Sequence, residues 1–485
     1  MIRLNKKLIY IFVILVVGSL IISACEQAVG RKVNRNLDDN NAQVNNNVNA
    51  QNLRPGVDYE VFSVPEISQE ESKEDITQMI VIPEQPSPGR DWVVGAQCGG
   101  IINEDTILDE DLNCEGSGLR IDTSDVSLNC NGHRITGPGY LREVGVGWDE
   151  RIYGISANNV EGLVISGCKI NRFGTGIALY RARNSEILLN ELNGNLYGIN
   201  FDMYSIRNIF RQNTANNNER AGILVYSSSN TFIKNTANNN ERVGILTYGN
   251  SNTFTENTAN NNNRNGIFVF RGSRNTLTEN TASENGRYGI LIEESSSNII
   301  MRNMVSRNRW GIGLYGPSRR RDYAHNHLVR DNTMTQNSGN GLLIVEGKNN
   351  SIERNNIVDN FGSGIVLGCN EQNICSSENT IERNTLTGNG EGIRIEGPNS
   401  NNRILSNSLQ SNGKGFLIRY GARTNTISNN NICFSSTNDI KCEYIFNANQ
   451  YNTNTCNNNR ISRTQCNYNI QCSRGCGIPQ KRGRE

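Results

Sequence analysis

A phrase that recurs every 22 to 23 residues dominates this sequence. The triplet Asn-Thr-Ala begins at Asn213, Asn235, Asn257 and Asn280, and a Gly-Ile pair keeps the same interval. Self-similarity at a fixed period of this length is typical of a solenoid, in which each repeat packs only against its neighbours. The period therefore predicts the architecture and says less about the chemistry.

The content of one repeat indicates which solenoid to expect. Within residues 213–234 the apolar residues alternate at Ile223 and Val225, and Phe232 follows alone. Alternation with period two is a strand signal, and the Asn, Ser and Gly residues between the strands favour turns. We therefore predict an all-β fold, a single-stranded parallel β-helix of about twelve rungs with both ends capped.

Two steps of the repeat are longer than the others. The intervals from Asn303 to Asn332 and from Asn355 to Asn384 are both 29 residues. The extra residues in a solenoid repeat usually form a loop at one corner, often on the binding face. We expect such loops within residues 316–327 and 368–375.

The N-terminal residues have the pattern of an export signal. Lys6 and Lys7 precede an apolar run, which ends in the tetrapeptide Ile-Ser-Ala-Cys at residues 22–25. The run is short for a membrane span. The tetrapeptide resembles a bacterial lipobox, which implies cleavage before Cys25 and lipidation of its thiol. The alternative is an ordinary secretory signal with an incidental cysteine.

Composition divides the chain into segments. Residues after Cys25 are rich in Asn, Gln, Asp and Glu without periodicity, which is typical of a flexible tether. The predicted segments are a signal peptide at 1–24, a tether at 25–90, an N-terminal cap with the first rungs at 91–150, the repeats at 151–435, and a Cys-rich cap with a basic tail at 436–485.

Cysteine usage agrees with export. Without Cys25, 12 of the 13 cysteines remain, an even number that suits disulfides in an oxidising compartment. Zinc is the alternative, but the chain has no C-x-x-C pair. We expect disulfides to fasten the two caps and the loop at 368–375. The candidates are Cys98, Cys114, Cys130, Cys168, Cys369, Cys375, Cys433, Cys442, Cys456, Cys466, Cys472 and Cys476.

Residues 114–121 and 126–137, together with the phrase Asn-x-x-x-x-Asn followed by Gly-Ile, resemble right-handed parallel β-helix proteins. These proteins have the pectin-lyase-like fold and include the relatives of the periplasmic protein NosD. The resemblance implies a right-handed solenoid over roughly residues 95–435. It leaves the function open, because this fold hosts polysaccharide lyases, hydrolases, epimerases, adhesins and proteins without known activity.

Each chemistry that this fold hosts requires particular residues. The rungs lack a cluster of paired aspartates for glycoside hydrolysis, and the Asp-Pro-His-Asp motif of alginate epimerases is missing. The copper role of NosD relatives would favour Met or His ligands, but the chain has only 6 Met and 3 His. We interpret Met304 and Met334 as core residues and expect neither a metal nor another cofactor.

The first extra loop is the most unusual polar cluster. Its arginines could neutralise uronate carboxylates, and its tyrosine or a histidine could act as general base or acid in β-elimination. The alternative is a solvated charged loop without a catalytic role. The candidates are Arg319, Arg321, Asp322, Tyr323, His325 and His327.

A column of aromatic residues is the second candidate surface. Tyr226, Tyr248 and Phe270 each lie four residues after the repeat glycine. If Ile223 and Val225 point inward, alternation turns these rings outward, where they could stack on sugars or contact a partner. If a corner bulge resets the alternation, some of them face the core.

These observations predict an exported, lipid-anchored β-helix that binds a polysaccharide or another cell-surface component without catalysis. One alternative is a lyase or epimerase that acts on acidic glycans. Another is an accessory protein of periplasmic copper-site assembly, as the NosD resemblance implies. The formal net charge of +1 argues against nucleic acid and against a strongly anionic partner.

Overall fold

The computed structural model describes residues 92–139, 152–316, 325–443, 450–452, 454–456 and 472–473. Chain contacts divide the protein into Met1–Ile82 and Pro83–Glu485, and every described residue lies in the second unit. The regular elements of the described residues are all β-strands, and neighbouring strands pair in parallel. The predicted parallel β-helix is therefore confirmed.

The turns of the solenoid build three sheets, numbered here in chain order within one turn. Sheet 1 has 15 strands, close to the number of rungs that the sequence predicts: Ile101–Ile102, Leu119–Ile121, Tyr153–Asn158, Thr175–Tyr180, Tyr197–Phe201, Ala221–Val225, Val243–Thr247, Ile267–Phe270, Tyr288–Glu293, Trp310–Tyr315, Leu342–Val345, Ser363–Gly368, Glu391–Ile395, Lys414–Arg419 and Asn438–Glu443.

Sheet 2 has 16 strands: Val93–Val94, Thr106–Ile107, Ser127–Asn129, Val164–Ser166, Glu186–Leu188, Ile209–Arg211, Thr231–Ile233, Thr253–Thr255, Thr276–Thr278, Ile299–Met301, Leu328–Arg330, Ser351–Glu353, Thr380–Glu382, Arg403–Leu405, Thr426–Ser428 and Gln450–Asn452.

Sheet 3 consists of a 4-stranded and a 9-stranded part. Single β-bridges through Thr214, Thr236 and Thr258 connect the two parts. The first part contains Leu112–Asn113, Arg134–Thr136, Lys169–Asn171 and Glu191–Leu192. The second contains Thr281–Ser283, Met304–Ser306, Thr333–Thr335, Asn356–Val358, Thr385–Thr387, Ser408–Gln410, Asn431–Cys433, Asn454–Cys456 and Cys472–Ser473.

The core is a column of apolar side chains inside the three sheets. Ile223 and Val225 of sheet 1 and Phe232 of sheet 2 are fully buried. The ring of Phe232 stacks between Phe210 and Phe254, with centroids 4.9 and 4.7 Å apart. Each turn thus buries the same few positions against its neighbours, which explains how a polar sequence forms a continuous core.

Asparagine ladders hold the corners of successive turns. The side-chain amide of Asn235 donates to Oδ1 of Asn257 at 3.0 Å, and its backbone N–H donates to the same oxygen at 2.9 Å. Asn213 and Asn280 continue this line, so the asparagines that begin the four Asn-Thr-Ala triplets stack along the solenoid axis. These amides are buried, and their hydrogen bonds offset the cost of removing them from water.

Two more corners contain ladders of the same kind. One precedes sheet 2 and the other follows sheet 3, so buried asparagine lies at three positions of a turn. The ladder before sheet 2 includes Asn208, Asn230, Asn252, Asn275, Asn298, Asn350, Asn379, Asn402 and Asn425. The ladder after sheet 3 includes Asn195, Asn218, Asn240, Asn262, Asn285, Asn308, Asn337, Asn360, Asn389 and Asn412.

Disulfides fasten the solenoid, as the sequence predicts. Cys98 pairs with Cys114 and Cys130 with Cys168 in the first turns, and the pair Cys369–Cys375 closes the second extra loop. Cys433 and Cys442 are also disulfide-bonded. The side chains of Cys456, Cys466, Cys472 and Cys476 lie outside the described residues.

The predicted signal peptide at 1–24, the tether at 25–90 and Cys25 lie outside the described residues. No helix in the described part of the chain is long and apolar enough to cross a membrane.

Candidate functional site

The outward side of sheet 1 carries the column of aromatic side chains. Tyr226 and Tyr248 stack with centroids 4.9 Å apart and an interplanar angle of 12°, and Phe270 meets Tyr248 edge-on at 5.6 Å. Tyr226 is 44% exposed. Because Ile223 and Val225 fill the core, alternation turns the three rings outward. The structure thus decides between the two orientations that the sequence left open.

Other aromatic residues extend this surface toward the C-terminus. Tyr288 and Trp310 stack at 5.0 Å near the start of their strands, and the hydroxyl of Tyr288 lies 2.6 Å from that of Tyr315. Burial raises the pKa of Tyr288 and of Tyr315. Both phenols are therefore protonated at neutral pH; one hydroxyl donates to the other, and the second keeps its hydrogen for another acceptor.

An open cleft of about 780 Å³ lies on sheet 1 toward its N-terminal end. The hydroxyl of Tyr180 donates to that of Tyr153 at 3.0 Å, and the guanidinium of Arg181 lies 5.6 Å from the ring centroid of Tyr204. The lining residues are Arg120, Asp122, Tyr153, Ser156, Asn158, Tyr180, Arg181, Asp202 and Tyr204. Three phenol rings with charged groups at their edges suit a ligand that has apolar faces and many hydroxyls.

A second cleft, of about 540 Å³, lies between Tyr315 and the disulfide-closed loop. Glu293, Glu346 and Glu396 line it together with Arg394. Burial raises the pKa of Glu293, which Glu294 raises further, and burial also raises the pKa of Glu346. A carboxyl group with a raised pKa can act as a general acid near neutral pH.

These glutamates come from separate turns, so no sequence motif connects them. Glu293 nevertheless lies four residues after the repeat glycine Gly289, which is the position of Tyr248 in its own turn. A search for charged residues at this position of the repeat could have found it. Glu346 directly follows a strand of sheet 1, and no comparable spacing signal marks it.

Most of the candidate residues in the first extra loop lie outside the described residues, namely Arg319, Arg321, Asp322 and Tyr323. His325 is half-buried and forms a single bridge with Lys348. His327 is buried inside the ladder before sheet 2. It accepts a hydrogen bond from the backbone N–H of Asn298, so its role is structural. The prediction that His327 is a catalytic candidate of the loop was therefore wrong.

Met304 and Met334 lie on opposite sides of sheet 3. Met334 is fully buried, as predicted, but Met304 is 55% exposed, so its interpretation as a core residue was wrong. Val305 takes the inward position of that strand, and alternation places Met304 outward. Among the described residues no group of three or more His, Cys, Asp or Glu could hold a metal ion.

Two family descriptions match successive parts of the chain. Residues 131–316 match the family described as periplasmic copper-binding protein (NosD), and residues 320–432 match the right handed beta helix region. The second description agrees with the parallel sheets and supplies the handedness. The chain is a right-handed parallel β-helix repeat protein.

Solved structures similar to this β-helix protein include two epimerases and a glucanase. The periplasmic alginate epimerase AlgG is 12% identical, with 76% of this chain and 84% of that chain covered and a TM-score of 0.38. The Azotobacter vinelandii mannuronan C-5 epimerase AlgE6 A-module is 16% identical, with 71% and 88% covered and a TM-score of 0.38. The catalytic domain of GH87 alpha-1,3-glucanase is 14% identical, with 65% of this chain and 68% of that chain covered and a TM-score of 0.42.

At these identities the likeness concerns the fold alone. A search among curated proteins gave no match. The match to a periplasmic family and the disulfides together indicate that this β-helix protein is exported.

Proposed function

We propose that this exported β-helix protein binds a linear polysaccharide along the outward face of sheet 1. The observation that carries the proposal is the outward column of Tyr226, Tyr248 and Phe270, in which successive rings lie 4.9 and 5.6 Å apart. The column runs along the solenoid axis, because successive turns stack at about 4.8 Å. An extended sugar chain could therefore contact several turns at once.

The physical basis is the amphipathic character of both partners. A pyranose ring presents C–H groups on its faces and hydroxyls at its rim, and an aromatic ring covers the former without competing for the latter. The first cleft supplies polar partners for the hydroxyls, among them Arg120, Asp122 and Tyr180. This combination of an apolar floor with few polar groups is typical of ligand sites.

Cleavage of the bound glycan is a second candidate function, which the second cleft favours. Glu293 and Glu346 line that cleft, and burial raises the pKa of both carboxyl groups. One of these carboxyl groups could donate a proton to the leaving glycosidic oxygen, and a second side chain of the cleft, such as Glu396, could activate water. Binding remains the first choice because the aromatic column needs no catalytic partner.

Attachment to a membrane through a lipid on Cys25 is part of the same proposal. A lipid anchor would hold the solenoid at the cell surface, where extended polysaccharides occur. The residues that suggest it are the apolar run and the tetrapeptide that ends at Cys25.

A glycan panel tests the proposal. The full chain is presented to neutral and acidic polysaccharides, and both retention and newly formed chain ends are measured. We expect retention of at least one polysaccharide without new chain ends. Retention of none contradicts the binding proposal. New chain ends that disappear in Glu346→Gln, with retention unchanged, would favour the enzyme.

A further inference from the structure

One corner of the solenoid carries a ladder of arginines. Arg220, Arg242, Arg264, Arg287 and Arg309 each lie two residues before the repeat glycine in five successive turns. Backbone hydrogen bonds confirm the register, since the N–H of Arg242 donates to the carbonyl of Arg220, and Arg264 and Arg287 continue the series. We call these five residues the arginine ladder.

The ladder stacks like charges without compensation in its middle. Arg242, Arg264 and Arg287 are exposed, and none of them forms an ion pair with another described residue. Glu219 and Glu241 precede the first two arginines in sequence. Like charges at the same corner of turns about 4.8 Å apart repel each other, and an anion bound between them would relieve this repulsion.

Elsewhere this protein pairs opposite charges between neighbouring turns. Lys234 lies 3.6 Å from Glu256, Arg302 lies 2.9 Å from Glu279, and the guanidinium of Arg354 lies 2.8 Å from Asp331. The two residues of each pair are 22 or 23 positions apart in the sequence, which is one turn of the solenoid. The arginine ladder departs from this arrangement, because it places a positive charge at the same position of five successive turns instead of alternating positive and negative charges.

The ladder borders the face that the aromatic column occupies. The guanidinium of Arg220 donates to the hydroxyl of Tyr197 at 2.8 Å, and the guanidinium of Arg309 lies 4.3 Å from the ring centroid of Trp310. Tyr197 and Trp310 both begin strands of sheet 1. The column lies at the other end of these strands, six residues or about 20 Å away, so a ligand meets the ladder together with Tyr197 and Trp310 and reaches the column only by spanning sheet 1.

We propose that the arginine ladder binds the anionic groups of an acidic polysaccharide, with its carboxylates or sulfates facing successive arginines. The inference rests on the proposed function and names the class of its ligand. Guanidinium groups bind carboxylate and sulfate through paired hydrogen bonds, and a polyanion that bridges several turns releases its own counterions. The formal net charge of +1, which argued against an anionic partner, averages over this local excess of positive charge.

A polysaccharide explains the ladder better than a nucleic acid does. The disulfides indicate an oxidising compartment, where cell-surface and extracellular polysaccharides are abundant. The aromatic rings of Tyr197 and Trp310, which contact ladder arginines, also suit pyranose rings. Binding to nucleic acid is one outcome of the test.

The test compares two sets of substitutions with the same change in charge. The ladder variant carries Arg242→Gln, Arg264→Gln and Arg287→Gln. The control variant carries Arg302→Gln, Arg354→Gln and Arg383→Gln, which lie at the corner between sheets 2 and 3. Both variants of the full chain are titrated with polygalacturonate, with its fully methyl-esterified form and with single-stranded DNA, at low and high salt. Their thermal transitions establish that they fold.

We expect wild type to bind polygalacturonate about tenfold or more tightly than the esterified form, with an affinity that falls as salt rises. The ladder variant should lose that advantage, and the control variant should keep it. Equal affinity for the two forms, or equal losses in both variants, would overturn the inference. Tighter binding of DNA through the ladder would overturn the assignment to polysaccharide.

Failure of the inference is distinguishable from failure of the proposed function. If the esterified polymer binds as tightly as the acid and Tyr248→Ala weakens both, the aromatic surface stands and the anionic preference falls. If the ladder variant loses binding but Tyr248→Ala does not, the ladder stands and the aromatic surface falls. If no polysaccharide binds, both fall.

Discussion

The backbone N–H of Asn298 donates to Nδ1 of His327 at 3.1 Å, where neighbouring turns use an asparagine oxygen. The backbone N–H of His327 in turn donates to Oδ1 of Asn350 at 2.8 Å. Its Nε2 is buried without a hydrogen-bond partner. A histidine thus replaces asparagine in the ladder and must be neutral to accept the bond from Asn298.

This replacement predicts a dependence of stability on pH. Burial lowers the pKa of His327 to about 4. The unfolded chain therefore binds more protons than the folded chain between about pH 6.5 and this value. The free energy of unfolding therefore has its full value, as far as His327 is concerned, above about pH 6.5. It falls by about 3 kcal/mol as the pH decreases toward 4. Denaturant unfolding at a series of pH values measures it.

The matched variant is His327→Asn, which restores the asparagine of the other turns. Its free energy of unfolding should change less between pH 7 and 4 than that of wild type, because a titrating group is removed. Identical pH profiles for the two proteins would show that His327 does not titrate on unfolding.

Removal of one ladder asparagine should destabilise the solenoid locally. Asn257→Ala removes the acceptor of the backbone N–H and of the side-chain amide of Asn235, and the donor to the carbonyl of Phe232. With about 1 to 3 kcal/mol for each buried unsatisfied group, we expect a loss of about 3 kcal/mol or more. The exposed Asn263→Ala is the control and should stay within about 0.5 kcal/mol of wild type. Equal effects of the two substitutions would contradict the ladder's importance.

The disulfides should differ in their effect on stability. Replacement of Cys130 and Cys168 by Ser opens a loop of sequence separation 38, and replacement of Cys369 and Cys375 opens one of separation 6. The entropy of loop closure predicts losses of about 4 and about 2 kcal/mol, respectively. Unfolding under non-reducing conditions checks this order, and a larger effect of the shorter loop would refute the entropic explanation.

The proposed lipid anchor predicts the location of the protein in cells. Cys25→Ser removes the thiol that a lipid would modify, so the variant should leave the membrane fraction and appear in soluble fractions. Fractionation of cells that express wild type or variant measures this distribution. A variant that stays with membranes as wild type does would rule out lipidation as the anchor.

The sequence predicted the fold because one period repeats over most of the chain. The alignment of Asn213, Asn235 and Asn257 follows directly from equal spacing, and the inward positions of Ile223 and Val225 follow from alternation. Register in a solenoid is a local property, so no long-range contact had to be guessed.

The candidate site was harder to predict, because one residue of shift reverses the direction of a side chain. Hydrophobicity placed Met304 in the core, whereas its neighbour Val305 occupies that position. The orientation of Tyr226 was open for the same reason. Glu293 and Glu346 meet only because separate turns and the Cys369–Cys375 loop enclose one cleft.

The most direct test of the central claim is the affinity of the double variant Tyr226→Ala, Tyr248→Ala for the polysaccharide that wild type binds best. Titration calorimetry should show a loss of about 1 to 3 kcal/mol, since two stacked rings are removed. Tyr420→Ala is the control, because this exposed tyrosine lies seven strands of sheet 1 further along, about 34 Å away at 4.8 Å per turn. It should bind as wild type does. Unchanged affinity of the double variant, with wild-type folding, would contradict the claim that sheet 1 binds polysaccharide through its aromatic column.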